Sequence, residues 1–188
     1  MEEHREFAKI WFARSPLKDK NHIQQTQRDH FIEFDNIFGV LSLTANPKNY
    51  KMWEKYSNNH TGFCVGFDTS KMFKKLGGGG PVNYYNVLPT IYYNDSTEDE
   101  YSKQIFSKEI KWDFEEEYRT HKVYPQEATI EDRKIKIPKD CYKEIIFGAR
   151  QSEIDRQSII SICKREYLNV EFFTQTFNEN NEIIINKI

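Results

Sequence analysis

The run Trp112-Asp113-Phe114-Glu115-Glu116-Glu117-Tyr118-Arg119 holds residue types from which acid–base chemistry is built. Read as a strand with period two, it sets Asp113, Glu115, Glu117, Arg119 and His121 on one face. Trp112, Phe114 and Tyr118 fall on the other, interrupted only by Glu116. Glu115 and Glu117 then stand about 6.6 Å apart at the ~3.3 Å rise of a strand. Carboxylates that close raise each other's pKa, while Arg119 holds one of them ionised. Such a split is how an acid–base pair is set. The plain alternative is an exposed sheet edge whose charges keep it soluble.

Three further elements must position this strand, expected over about 112–123. Phe38–Thr44 is apolar on both faces and reads as a buried central strand. Asn46-Pro47 supplies an N-cap and a first-turn proline for a helix over roughly 47–58, with Trp53 and Tyr56 on one side. Thr61–Asp68 is the next strand; Phe63, Val65 and Phe67 face one way, and Gly62, Cys64, Gly66 and Asp68 face the other. That second face has little side-chain bulk, so something can lie close to its backbone.

The remaining elements are a helix over residues 2–14, a polar stretch at 17–27 that is loop or weak helix continuing into Arg28–Phe34, and a short helix over Ser70–Leu76. Strand pieces follow over Tyr84–Tyr93, broken at Pro89, and a polar helix over Ser96–Ser107. Arg133–Ile137 alternates, with Ile135 and Ile137 inward. Tyr142–Gly148 is a strand, and Ser152 with Asp155 caps a helix whose apolar stripe is Ile159, Ile162, Cys163 and Tyr167. Val170–Phe177 and Glu182–Ile188 make a hairpin. Gly77-Gly78-Gly79-Gly80 lacks the lysine and hydroxyl of a phosphate loop and reads as a turn. The fold class is α+β, a mainly antiparallel sheet with helices packed on it.

The chain has 188 residues, which suits a single domain over 1–188 with an N-terminal helical segment over 1–34. The net charge of −2 offers no global attraction for nucleic acid. Three cysteines without C-x-x-C spacing argue against a disulfide framework or a structural zinc, so free thiols in a reducing cytoplasm are expected. No run of about 18 apolar residues occurs, so no membrane span is expected.

Two blocks resemble a widespread bacterial family, the domain of unknown function numbered twenty-nine seventy-one. One is M-W-x-x-Y-x-x-x-H-x-G-F-C-x-G-F over Met52–Phe67; the other is W-x-x-E-x-E-x-R over Trp112–Arg119. Glu144–Arg150 fits a third element, a strand ending in glycine, and the likeness runs from about Phe38 to Ser152. The block that usually opens the family, an aromatic strand and an F-N-D-P loop, is missing. The resemblance therefore implies a fragment, a shortened member or half of a split protein, with an upstream polypeptide as partner.

The family's layout is also similar to that of ADP-ribosyltransferases, a fold-level analogy that implies a split sheet and NAD as the cofactor. It implies a toxin or phage-defence effector in which Glu117 bonds the nicotinamide ribose and Glu115 orients or deprotonates the acceptor, beside Arg119. Trp53 or Tyr56 would stack on nicotinamide, His60 or Arg150 would hold ribose or phosphate, and Ser42 is a further cofactor-binding candidate. Two alternatives stay open. One is a metal-dependent nuclease using Asp113, Glu115 and Glu117, although no metal is expected. The other is a non-catalytic protein-interaction module, with the tryptophans as core.

Overall fold

Asp19 opens the first described helix, its carboxylate accepting from Asn21 N–H at 2.9 Å, and α1 runs over Lys20–Ile37. The chain is seen in a computed structural model that describes residues 15–16, 19–92, 95–166 and 168–188. The helix expected over 2–14 and the Tyr167 end of the last helix's stripe lie outside the described residues. The stretch at 17–27 resolves as helix from Lys20 onward, continuous with Arg28–Phe34.

Cα packing divides the chain into two compact units, residues 1–39 with 123–134, and residues 40–122 with 135–188. In the first, Phe34 and Phe38 stack at 4.4 Å, and Arg133 donates to the Phe38 carbonyl at 2.8 Å. Tyr124 N–H donates to the Ile37 carbonyl at 2.8 Å. The expected strand at Arg133–Ile137 does not form; Ile135 and Ile137 are half-buried in irregular chain.

The second unit holds the remaining elements, apart from the Phe38-Gly39 start of the first strand and Val123 at the end of the sixth. Strand β1 is Phe38–Thr44, α2 is Tyr50–Tyr56, β2 is Phe63–Phe67 and α3 is Thr69–Leu76. They are followed by β3 (Gly79–Pro81), β4 (Asn83–Tyr85), α4 (Thr97–Phe106) and β5 (Ser107–Glu109). Then come β6 (Glu117–Val123), β7 (Tyr142–Phe147), α5 (Glu153–Arg165), β8 (Glu171–Phe177) and β9 (Ile183–Lys187). Among the described residues the strands form sheets ordered β1-β6-β3, β2-β7-β8-β9 and β4-β5. The pairs β2–β7, β3–β6 and β8–β9 are antiparallel; β4–β5 and β7–β8 are parallel, the latter joined through α5. The architecture is α+β with mixed sheets.

Caps match their chemistry. Asp68, Ser96 and Ser152 each accept a backbone N–H three residues on, and Gly77 ends α3 at φ 108. Asn49, not Asn46, caps α2, because Asn46 closes a tight turn onto Lys48 N–H at 3.0 Å.

The buried centre is β7 rather than β1. Ile146 points to one face, with Trp53 and Ile183; Ile145 and Phe147 point to the other, with Cys163. β1 is an edge strand on which Val40 and Leu41 are exposed, so its apolar run does not mark burial. Gly148 closes β7 against the turn before β2, where a Cβ would lie 2.2 Å from the His60 carbonyl. Of the strand pieces expected over Tyr84–Tyr93, the described residues form strand only at Asn83–Tyr85.

Candidate functional site

The acidic run is not one strand. Ile110–Glu115 winds into a 3-10 turn, in which residues three apart share an edge. Trp112 and Glu115 stand on such an edge. Glu116 then takes the left-handed conformation, φ 46 and ψ 50, and β6 starts only at Glu117. Strand periodicity fails here because the left-handed residue reverses the chain between the two glutamates. Asn46 steadies the reversal by donating to the Glu116 carboxylate at 2.8 Å, and Asn49 donates to the Phe114 carbonyl. The side chain that caps α2 thus also ties it to the 3-10 turn.

The reversal brings the two carboxylates onto one ammonium. Lys108 of β5 bonds Glu115 and reaches Glu117 Oε2 at 3.0 Å. Arg119, two residues along the same face of β6, donates to both Glu117 oxygens, through Nε at 2.9 Å and Nη2 at 3.1 Å. Its Nη1 holds the Ile105 carbonyl at 2.5 Å. Ser42 on β1 also stands near the Glu117 carboxylate and helps to lower its pKa. Tyr56, at the last turn of α2, donates its phenol to Glu115 Oε1 at 2.6 Å. Tyr84 accepts the Glu117 N–H at 2.8 Å, which fixes the start of β6 against β4.

Glu115 and Glu117 are 4% and 5% exposed, so each would be costly to ionise unpaired. Burial pushes the Glu117 carboxyl up, but Arg119, Ser42 and Lys108 together bring it below the usual carboxylate range. Burial pulls Lys108 down, and the two glutamates outweigh it and raise its pKa. The hydrogen bond to Glu115 raises the Tyr56 phenol. Two acids and two cations make a neutral cluster in which Glu117 is held ionised.

Above the cluster lies an aromatic and cationic rim. Tyr56 is well exposed, the Lys55 ammonium sits 3.6 Å from the Trp112 ring centre, and Lys51 stands 5.3 Å from that of Phe114. Lys111 is largely exposed beside Trp112.

Of the residues singled out from sequence, Glu115, Glu117, Arg119, Tyr56 and Ser42 meet here. Trp53, His60 and Arg150 make their contacts elsewhere. Trp53 is core, its indole N–H donating to the Pro47 carbonyl at 2.7 Å. His60 is fully buried among Tyr50, Trp53 and Phe177, with Nδ1 bonded to Gln175 Oε1 at 2.9 Å. Arg150 is exposed in the turn after β7, its N–H on the His60 carbonyl. Asp113 is exposed on the 3-10 turn, so the three-acid strand face behind the nuclease alternative does not exist. Among the described residues no group of three or more metal-ligating side chains occurs. Lys108 and Tyr84 were missed. The one signal for Lys108 was the need of two buried carboxylates for a second cation besides Arg119.

Among the described residues, no helix is long and apolar enough to cross a membrane. No curated protein and no solved structure matched the chain. A family model described as Protein of unknown function (DUF2971) matches residues 52–186, from the Met52-Trp53 block through the terminal hairpin. With both glutamates and most of the chain inside that match, the protein belongs to the DUF2971 family.

Proposed function

We propose that the Glu115–Glu117 cluster transfers ADP-ribose from NAD to an acceptor nucleophile. The observation that carries this reading is the convergence of Ser42, Arg119 and Lys108 on Glu117, beside a second carboxylate that accepts from an exposed tyrosine. An ionised, immobile carboxylate in a dry site stabilises positive charge developing at the ribose carbon. In this reading Glu117 bonds a ribose hydroxyl, taking it in place of the Lys108 ammonium. Glu115 receives the acceptor's proton. The glycosidic C–N bond breaks with its electron pair leaving on nicotinamide, and the acceptor's bond to the same carbon forms. The rim fits a dinucleotide: Tyr56, Trp112 and Phe114 offer ring faces, and Lys51, Lys55 and Lys111 offer charge for a pyrophosphate. The setting proposed is a cytoplasmic bacterial effector, a toxin or phage-defence protein; the free thiols of Cys64, Cys141 and Cys163 suit that compartment.

The second reading is a protein-interaction module. The observation that favours it is that both oxygens of Glu117 already carry cationic partners, as in a structural ion network. The deciding experiment measures NAD binding by calorimetry and nicotinamide release. It compares wild type with Glu117→Gln and with Tyr56→Phe, which leaves the buried ion pairs in place. Release by wild type that falls at least about a hundredfold in Glu117→Gln, with the fold retained by circular dichroism, supports the transferase. Absence of NAD binding and release in wild type, alone and with any co-purifying polypeptide, overturns it in favour of the module.

A further inference from the structure

The opposite side of β6 faces a different feature. Tyr118, whose neighbours Glu117 and Arg119 point to the ion cluster, lines a cleft of about 460 Å3. That lies within the roughly 300–1,000 Å3 of small-molecule sites. Leu43, Phe67, Met72 and Phe73 give it apolar patches beside the polar groups of Thr44, Thr69, Lys143 and Glu144. Its floor explains the bare face of β2. Gly66 pairs with Glu144 across the β2–β7 ladder, and a Cβ at residue 66 would lie 2.3 Å from Glu144 Cγ and 2.6 Å from Oε1. Glycine there lets the Glu144 side chain lie flat over β2 in the cleft.

Glu144 is half-buried and its carboxylate has no hydrogen bond or ion pair among the described residues, in contrast to those of Glu115 and Glu117. Lys143, also lining the cleft, is directed to Asp68 at 3.6 Å. A half-buried carboxylate whose neighbouring ammonium is directed to another acid is an incomplete pair, which a cation completes.

We propose that this cleft binds a small organic cation, a protonated primary amine on an apolar body, with its ammonium on Glu144 and its body against Phe67, Met72 and Tyr118. The site is separate from the ion cluster and does not depend on how that cluster functions.

Cys64 reports on occupancy, since it lines the cleft while Cys141 and Cys163 are buried. The probe is phenethylamine, with neutral phenethyl alcohol as its control. Binding is read by calorimetry and by protection of Cys64 from iodoacetamide at about pH 8.5; burial and Glu144 raise the Cys64 thiol, so labelling is slow and is followed to completion without amine as the reference. The amine should protect and bind at least about tenfold tighter than the alcohol. Glu144→Gln should bring the amine down to the alcohol's level, and Gly66→Ala, which displaces Glu144 by another route, should do the same. Equal binding of amine and alcohol, amine binding undiminished in a folded Glu144→Gln protein, or no protection at millimolar amine each overturns the proposal. If neither variant folds, the wild-type comparison of amine with alcohol decides.

Discussion

Glu117 is the residue on which most of the site's energetics turn. Its carboxylate is buried and has Arg119 and Lys108 as partners, so Glu117→Gln leaves Arg119 without its counter-charge and Lys108 with Glu115 alone. Breaking a buried ion pair costs about 3–5 kcal/mol, and urea unfolding should show a loss of that order. A loss under about 1 kcal/mol would mean that the network is solvent-screened. The pH dependence has two signed limbs. The Glu117 pKa is lowered in the folded protein, so its contribution is complete above the ordinary carboxylate value of ~4.3 and is lost as pH falls through the folded value. The Lys108 pKa is raised, so its contribution is complete below the ordinary ~10.4 and is lost as pH rises through the folded value. The urea midpoint should therefore be flat near neutrality and fall at both extremes, and Glu117→Gln should flatten the acid limb. An unchanged acid limb would assign the acid loss to other carboxylates. Of this cluster, Glu115, Glu117 and Arg119 were legible because they share one short run. Tyr56 and Ser42 entered only through the family resemblance.

At the scale of elements, the left-handed turn at Glu116 separates what periodicity suggests from what the chain does. Strand alternation held for Glu117, Tyr118 and Arg119 and failed one residue earlier, where Asn46 and Asn49 hold the turn. Nothing local in Glu115-Glu116-Glu117 announces positive φ, for which glycine or asparagine is the usual sign. A second junction ties α2 and the start of β2 to β8. Gln175 Oε1 accepts from Ala149 N–H at 3.1 Å, which fixes the amide orientation and makes His60 Nδ1 the donor to it. Gln175→Leu removes the acceptor for the buried His60 ring N–H, worth about 1–3 kcal/mol when left unpaired, and for the half-buried Ala149 N–H. Thermal unfolding should show a loss of about 2 kcal/mol or more, with the Glu117 acid limb unchanged. A stability within about 0.5 kcal/mol of wild type would show that the His60 junction is dispensable.

For the whole molecule, burial is concentrated on β7, which has core on both faces, while the apolar run of β1 lies on an edge. Amide exchange should therefore be slowest at Ile145, Ile146 and Phe147 and faster in Val40 and Leu41. The reverse order would put the stable centre in the sheet that carries the ion cluster. The sequence by itself determined the α+β class, the caps at Ser96 and Ser152, the terminal hairpin, the family blocks and the Glu115–Glu117 pair. These depend on spacing within a few residues, where backbone geometry sets the outcome. Tertiary structure alone decided which strand is central, that Lys108 joins the two glutamates, and that Tyr56, 59 positions away in the chain, donates to Glu115. It also decided that Gly66 makes room for Glu144. A buried charge requires a partner but does not specify where in the chain that partner comes from, and sheet order is set by long-range pairing that local pattern does not encode.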